Sequence, residues 1–257
     1  MTFSYQFSPR IGKLFFLFFS IFATATISAQ ISHGGSPLPL NAGERALTIK
    51  REMFVEMPSF DVAEELRLSE NEAQFKSLYF AHKFFVHLRP DNSGIRFTNT
   101  DGTNVWRVGI RSRGAYSINI LFSKFHLAKG AKVFVYNADQ TQILGSYTDE
   151  NNTEHNLLPV QPIGGEELIV ELQEPENSVS EIEVGEVNHD FLGLFRAGTE
   201  PRDPSQSCHP NLVCYPEDAQ AGSGVVELII NGNTYCTGAL VNNTAQDGTP
   251  YLLTATH

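Results

Sequence analysis

Cysteine is missing from the 178 residues between Gln30 and Ser207, and the three cysteines of the chain, Cys208, Cys214 and Cys236, fall in the last 50 residues. No disulfide framework can hold the long Cys-free region, so an apolar core must hold it alone. An odd cysteine count in an exported chain leaves at least one thiol without an internal partner. Cys208 and Cys214, with His209 between them, lack the paired C-x2-C spacing of a zinc site. The remaining histidines are scattered and form no H-E-x-x-H pattern. Neither metal nor cofactor is expected. Basic residues are also scarce: after the first 29 residues, 16 basic side chains face 29 acidic ones, a net charge of −13. That balance argues against binding nucleic acid or an anionic membrane surface through a general field. Beyond residue 29 no run is long and apolar enough to suggest a membrane span.

One apolar run is present, at the start. Arg10 and Lys13 precede Leu14-Phe15-Phe16-Leu17-Phe18-Phe19, and Ile27-Ser28-Ala29 offers small residues before Gln30. This is the layout of a secretory signal peptide over residues 1–29. The run is short for a span, and Ser20, Thr24, Thr26 and Ser28 interrupt it. The expected location is secreted, either extracellular or periplasmic, a compartment that permits disulfides.

The rest of the chain reads mainly as β. Residues 30–80 form an irregular, partly helical lead-in, with a short helix expected over Asp61–Leu66 and Ser59 as its cap. Residues 81–197 carry short apolar runs divided by Gly, Asn and Asp turns: Phe84–Leu88, Val105–Ile110, Ser117–Phe122, Lys132–Tyr136, Gln142–Tyr147, Glu167–Leu172 and Glu181–Val184. That pattern predicts an antiparallel β-sandwich. Residues 198–207, with Pro201 and Pro204, read as a linker. Three further strands follow within 208–257: Gly224–Ile230, Thr234–Val241 and Tyr251–Thr254. The first two are joined by Asn231-Gly232-Asn233, a hairpin signal because Asn and Gly tolerate positive φ. The adjacent pairs Glu64-Glu65 and Glu166-Glu167 read as solvated charge, since neighbours on a strand point to opposite faces.

Cys236-Thr237-Gly238-Ala239-Leu240-Val241-Asn242-Asn243-Thr244-Ala245, followed by Pro250-Tyr251-Leu252-Leu253-Thr254-Ala255-Thr256-His257, resembles the lysyl endopeptidase group of bacterial trypsin-fold proteases. Ala239 departs from the Ser or Thr frequent there. Ser112-Arg113-Gly114-Ala115, Gly130–Tyr136 and Gly145-Ser146-Tyr147-Thr148 resemble, less specifically, the secreted pro-region ahead of such enzymes. Together the resemblance covers about residues 80–257. It implies that His257 is the general base of a His-Asp-Ser triad whose Asp and Ser lie beyond residue 257, the chain being truncated after its catalytic histidine. It also implies that Cys208, Cys214 and Cys236 form disulfides with cysteines outside this chain. Residues 208–257 would be the first strands of a trypsin-like β-barrel, incomplete here.

The leading expectation is a secreted serine endopeptidase precursor, or zymogen, that hydrolyses polypeptide substrates, with cleavage after lysine implied only by the resemblance. The fragment alone is expected to be inactive. Its pro-region would contact its own protease domain and be released near Arg196 or Arg202. Two rivals stand beside this reading: a secreted β-sandwich binding or adhesion protein with a vestigial protease segment, and a pseudo-protease.

Overall fold

The computed structural model describes residues 32–40, 52–72, 78–194, 212–245, 247–249 and 251–255. The expected signal peptide, 1–29, and the expected linker, 198–207, lie outside them. The described chain is mainly β, with two short helices and no closed barrel.

Its first sheet joins β1 (Phe54–Glu56), β4 (Ile95–Thr98), β5 (Asn104–Arg111), β7 (Lys132–Tyr136), β8 (Ile143–Tyr147) and β10 (Glu167–Glu174) in the order β1-β5-β10-β7-β8, with β4 also on β5. The second sheet has the order β3-β11-β6-β9, from β3 (Ala81–Leu88), β6 (Ser117–His126), β9 (Leu158–Gly164) and β11 (Glu181–Asp190). All of these pairings are antiparallel except that of β1 with β5.

Alternation along the strands makes the core. Trp106, Val108 and Ile110 of β5 and Leu168, Val170 and Leu172 of β10 meet Ile118, Ile120 and Phe122 of β6 and Val184 and Val187 of β11 in one buried apolar cluster. Both sheets therefore bury an inner face against the same core, and each fully buried side chain of this size contributes about 1.5–3 kcal/mol. The intervening residues of the first sheet are covered too. Phe134, Tyr136 and Ile169 pack with Met53, Phe54 and Leu40 of the lead-in. Under that cover Arg107 Nε donates to Glu171 Oε2 at 2.7 Å, the Leu38 N–H donates to Glu171 Oε1 at 2.9 Å, and the Tyr136 hydroxyl donates to Glu171 Oε2 at 2.8 Å. Burial pushes the Tyr136 phenol well above its ordinary range, with the Glu171 carboxylate adding to the effect.

Several elements differ from the sequence expectation. The lead-in holds a strand, β1, and helix α1 (Val62–Glu72) runs further than predicted. Its first turn is capped by Asp61, whose Oδ1 accepts from the Ala63 and Glu64 N–H groups; Ser59 is not the cap. Glu64 and Glu65 sit on this helix, so the opposite-faces argument for a strand does not apply to them. Strand β9 escaped the sequence reading because Pro159 and Pro162 interrupt its pattern, and it lies at the sheet edge, where proline is tolerated. In β11 the register shifts around Gly185, bringing both Val184 and Val187 inward. A Cβ on Gly185 would lie 2.4 Å from Ser123 Cβ.

The third sheet comprises β2 (Leu78–Tyr79), β12 (Val225–Ile230), β13 (Thr234–Val241) and β14 (Tyr251–Thr254). It is an open sheet, and no closed barrel forms among the described residues.

Candidate functional site

The hairpin β12–β13 forms where the sequence placed it. Asn231 and Gly232 have φ of +52° and +78°, and the Asn233 N–H closes the turn on the Ile230 carbonyl at 3.3 Å. Leucines 228 and 252 converge over Gly238, where an added Cβ would come within 2.9 Å of Leu252 Cδ1. Strand β14 then runs antiparallel along β13 from Tyr251 opposite Val241 to Thr254 opposite Gly238. Its last residue is tied down: the Thr254 hydroxyl donates to the Thr237 carbonyl at 2.8 Å and lies 3.8 Å from Cys236 Sγ. The edge of β13 that β14 leaves open is occupied by β2, with Tyr79 opposite Thr234 and Leu78 opposite Tyr235. Along β13, Tyr235 and Gly238 are three residues apart, about 10 Å at strand rise.

Of the residues singled out from sequence, His257 and Cys208 lie outside the described residues, as do Arg196 and Arg202. Cys214 is an exposed free thiol at the end of a 3₁₀ turn, Leu212–Cys214. Cys236 is half-buried on β13 beside the end of β14. Cys214 and Cys236 are therefore on different elements, and no disulfide is formed among the described residues.

A polar cluster that the sequence did not signal lies under the second sheet. Glu65 Oε1 is 2.5 Å from His82 Nδ1, and Phe60 stacks on His82 at 4.1 Å between centroids while meeting His189 edge-on at 4.7 Å. Ser112 Oγ lies 2.7 Å from His189 Nδ1. Glu65 is buried, so the solvated-charge reading fails for it. Glu166 and Glu167 do stay nearer the surface, one accepting from the Gly114 N–H and the other paired with Arg111. Burial, then the nearby His82, drives the His189 pKa down to about 4, against a small opposing pull from Glu166. The Ser112–His189 distance suits a nucleophile and its base, but the two residues are only 2% and 1% exposed. No substrate reaches them; the pair is a core hydrogen bond. Sequence reasoning could not find it because residues 112 and 189 meet only through the packing of β5 against β11.

Among the described residues no group of three or more His, Cys, Asp or Glu could hold a metal ion, and no helix is long and apolar enough to cross a membrane.

Strands β12, β13 and β14 of the open sheet, with the Thr-Ala exit toward residue 257, belong to the stretch for which a known family is found. Residues 202–257 match the family model of the lysyl endopeptidase C-terminal domain. The match spans the 3₁₀ turn with Cys214, the whole β12–β13 hairpin and β14, and stops short of the two-sheet body. Over this C-terminal segment the protein is thus related to the lysyl endopeptidases, a family match that suggests serine proteases.

Proposed function

We propose that the chain is the front part of a secreted serine endopeptidase precursor. Residues 1–29 direct export, and the two sheets around the shared core are a β-sandwich pro-region over 81–197. The lysyl endopeptidase-related segment supplies His257 as general base. In the active enzyme His257 takes the proton of a serine hydroxyl as it attacks the peptide carbonyl and returns it to the leaving amine. An aspartate holds the imidazole, and both partners come from residues after 257. Cys208, Cys214 and Cys236 pair with cysteines of that later segment, and lysine is the preferred residue before the cut bond.

One observation carries this reading: the family match at residues 202–257 falls on a hairpin and third strand that lead directly into Thr254-Ala255-Thr256-His257. The position of Cys236 beside Thr254 supports a disulfide close to the histidine.

The test uses the secreted product of the gene. It should hydrolyse peptides after lysine and begin with an N-terminus inside 195–211, and His257→Ala should lower turnover by ~10⁴–10⁶. Residues 1–257 alone should be inert. A secreted product that keeps the two-sheet body and shows no His257-dependent hydrolysis overturns the proposal.

A further inference from the structure

The β12–β13 turn does not project into solvent. It rests on the outer face of the second sheet, on the cross-strand pair Asn119 and Asn188. Asn119 Nδ2 donates to the Gly232 carbonyl at 3.1 Å, and the Phe80 N–H donates to the Asn233 carbonyl at 2.9 Å. The segment Leu78–Leu88 spans both parts, beginning as β2 on β13 and continuing as β3 in the second sheet. Ile229 and Tyr235 of the hairpin pack on Phe80, Ala81 and Leu194.

One feature of the contact opposes it. Asn188 is 0% exposed, and neither Oδ1 nor Nδ2 has a hydrogen-bond partner; Asn119 Oδ1 is buried without one as well. Around them the same face carries paired side chains, with Lys83 Nζ 2.8 Å from Glu186 and His87 Nδ1 2.8 Å from Glu183. The asparagines are the uncharged gap into which the turn fits, and lifting the turn away would return their amides to water. A buried amide left unpaired weakens an association by on the order of tenfold or more.

From this balance we infer that Asn119, Asn188 and the β2 strand form a releasable socket for the β12–β13 hairpin. The socket holds the two parts of the chain together after the connection between them is cut, and the orphaned amides keep the hold weak enough to let go. This rests on the precursor reading, in which that cut occurs.

The position that decides it is Gly232. A Cβ there would lie 2.5 Å from Asn188 Nδ2. Asparagine tolerates positive φ, so Gly232→Asn keeps the turn conformation while colliding with the socket. The experiment takes the chain with the recognition site of an added specific protease placed within 195–211, cut to completion as judged on a denaturing gel, then run on gel filtration. Fluorescence of Trp106, the single tryptophan, reports that the two-sheet body stays folded. Wild-type pieces should co-elute. Gly232→Asn should weaken their association roughly tenfold or more, Gly232→Asn with Asn188→Ala should restore it, and Asn188→Leu alone should tighten it about tenfold. Separation of the wild-type pieces, an unaltered Gly232→Asn, or a loss that Asn188→Ala does not rescue would overturn the socket. None of those results touches the precursor reading, which stands or falls on the N-terminus and activity of the secreted product.

Discussion

His189 shows how much one buried side chain ties stability to pH. Its pKa falls from an ordinary 6.5 to about 4 because the charged imidazole would be stripped of water and would face His82. Between those values the unfolded chain binds the proton and the folded one does not. The contribution is complete above about pH 6.5 and is lost as pH falls toward 4, amounting to about 3 kcal/mol. Urea midpoints at pH 7.5 and 4.5 should therefore differ by less in His189→Gln than in the wild type; equal pH dependence would refute the assignment. A second residue-scale case is Arg107, 5% exposed against a fully buried Glu171. Arg107→Met strands the carboxylate with only its neutral donors, and we expect a loss of about 3–5 kcal/mol in urea unfolding. A change under 1 kcal/mol would mean that the Leu38 N–H, the Tyr136 hydroxyl and Gln173 Nε2, which donates to Glu171 Oε1 at 2.7 Å, suffice.

Strand β11 is the element on which the second sheet turns, since β3 and β6 flank it and its two register shifts set which side chains face the core. Gly185 is the pivot. Gly185→Ala should cost about 1–3 kcal/mol through the forced displacement of Ser123, and amide exchange should quicken in β6 and β11 before it does in β5 and β10. Uniform quickening in both sheets would show that the bulge has no local role. The lead-in contributes at this scale too. The sequence marks a short helix over Asp61–Leu66 but not β1, which is only three residues long; β1 gains a parallel partner in β5, and α1 sets Glu65 against His82.

Across the whole molecule, the two-sheet body and the third sheet differ in what they expose. The body buries a large apolar core, with Phe85 and Val179 left exposed on it, whereas in the third sheet Val225, Leu240, Tyr251, Leu252 and Leu253 are all exposed within three adjacent strands, Leu253 by 64%. Leu240 and Leu252 share one face of that sheet and Val225, Tyr251 and Leu253 the other, and exposed apolar surface of this kind favours association. The chain should bind a hydrophobic dye and self-associate with rising concentration, and Leu240→Lys with Leu253→Lys should reduce both. If the double variant binds dye as the wild type does, the surface responsible lies elsewhere. In the precursor reading both faces are covered by later residues of the protease domain.

Strand content, the hairpin at Asn231-Gly232 and the protease resemblance of the C-terminal segment were legible in the sequence because each rests on local signals: period-two alternation, residues that tolerate positive φ, and a contiguous motif from Cys236 to His257. Ser59 against Asp61 as cap was misjudged by two positions because either side chain can satisfy a first turn. What only the tertiary structure decided depends on residues far apart in the chain. Glu65, His82, Ser112 and His189 carry no mutual spacing signal, Arg107 and Glu171 are 64 positions apart, and Gly232 meets Asn188 only because β2 and β3 are one continuous segment linking two sheets. Burial and pairing at such places are set by how sheets stack, and no window of sequence contains both partners.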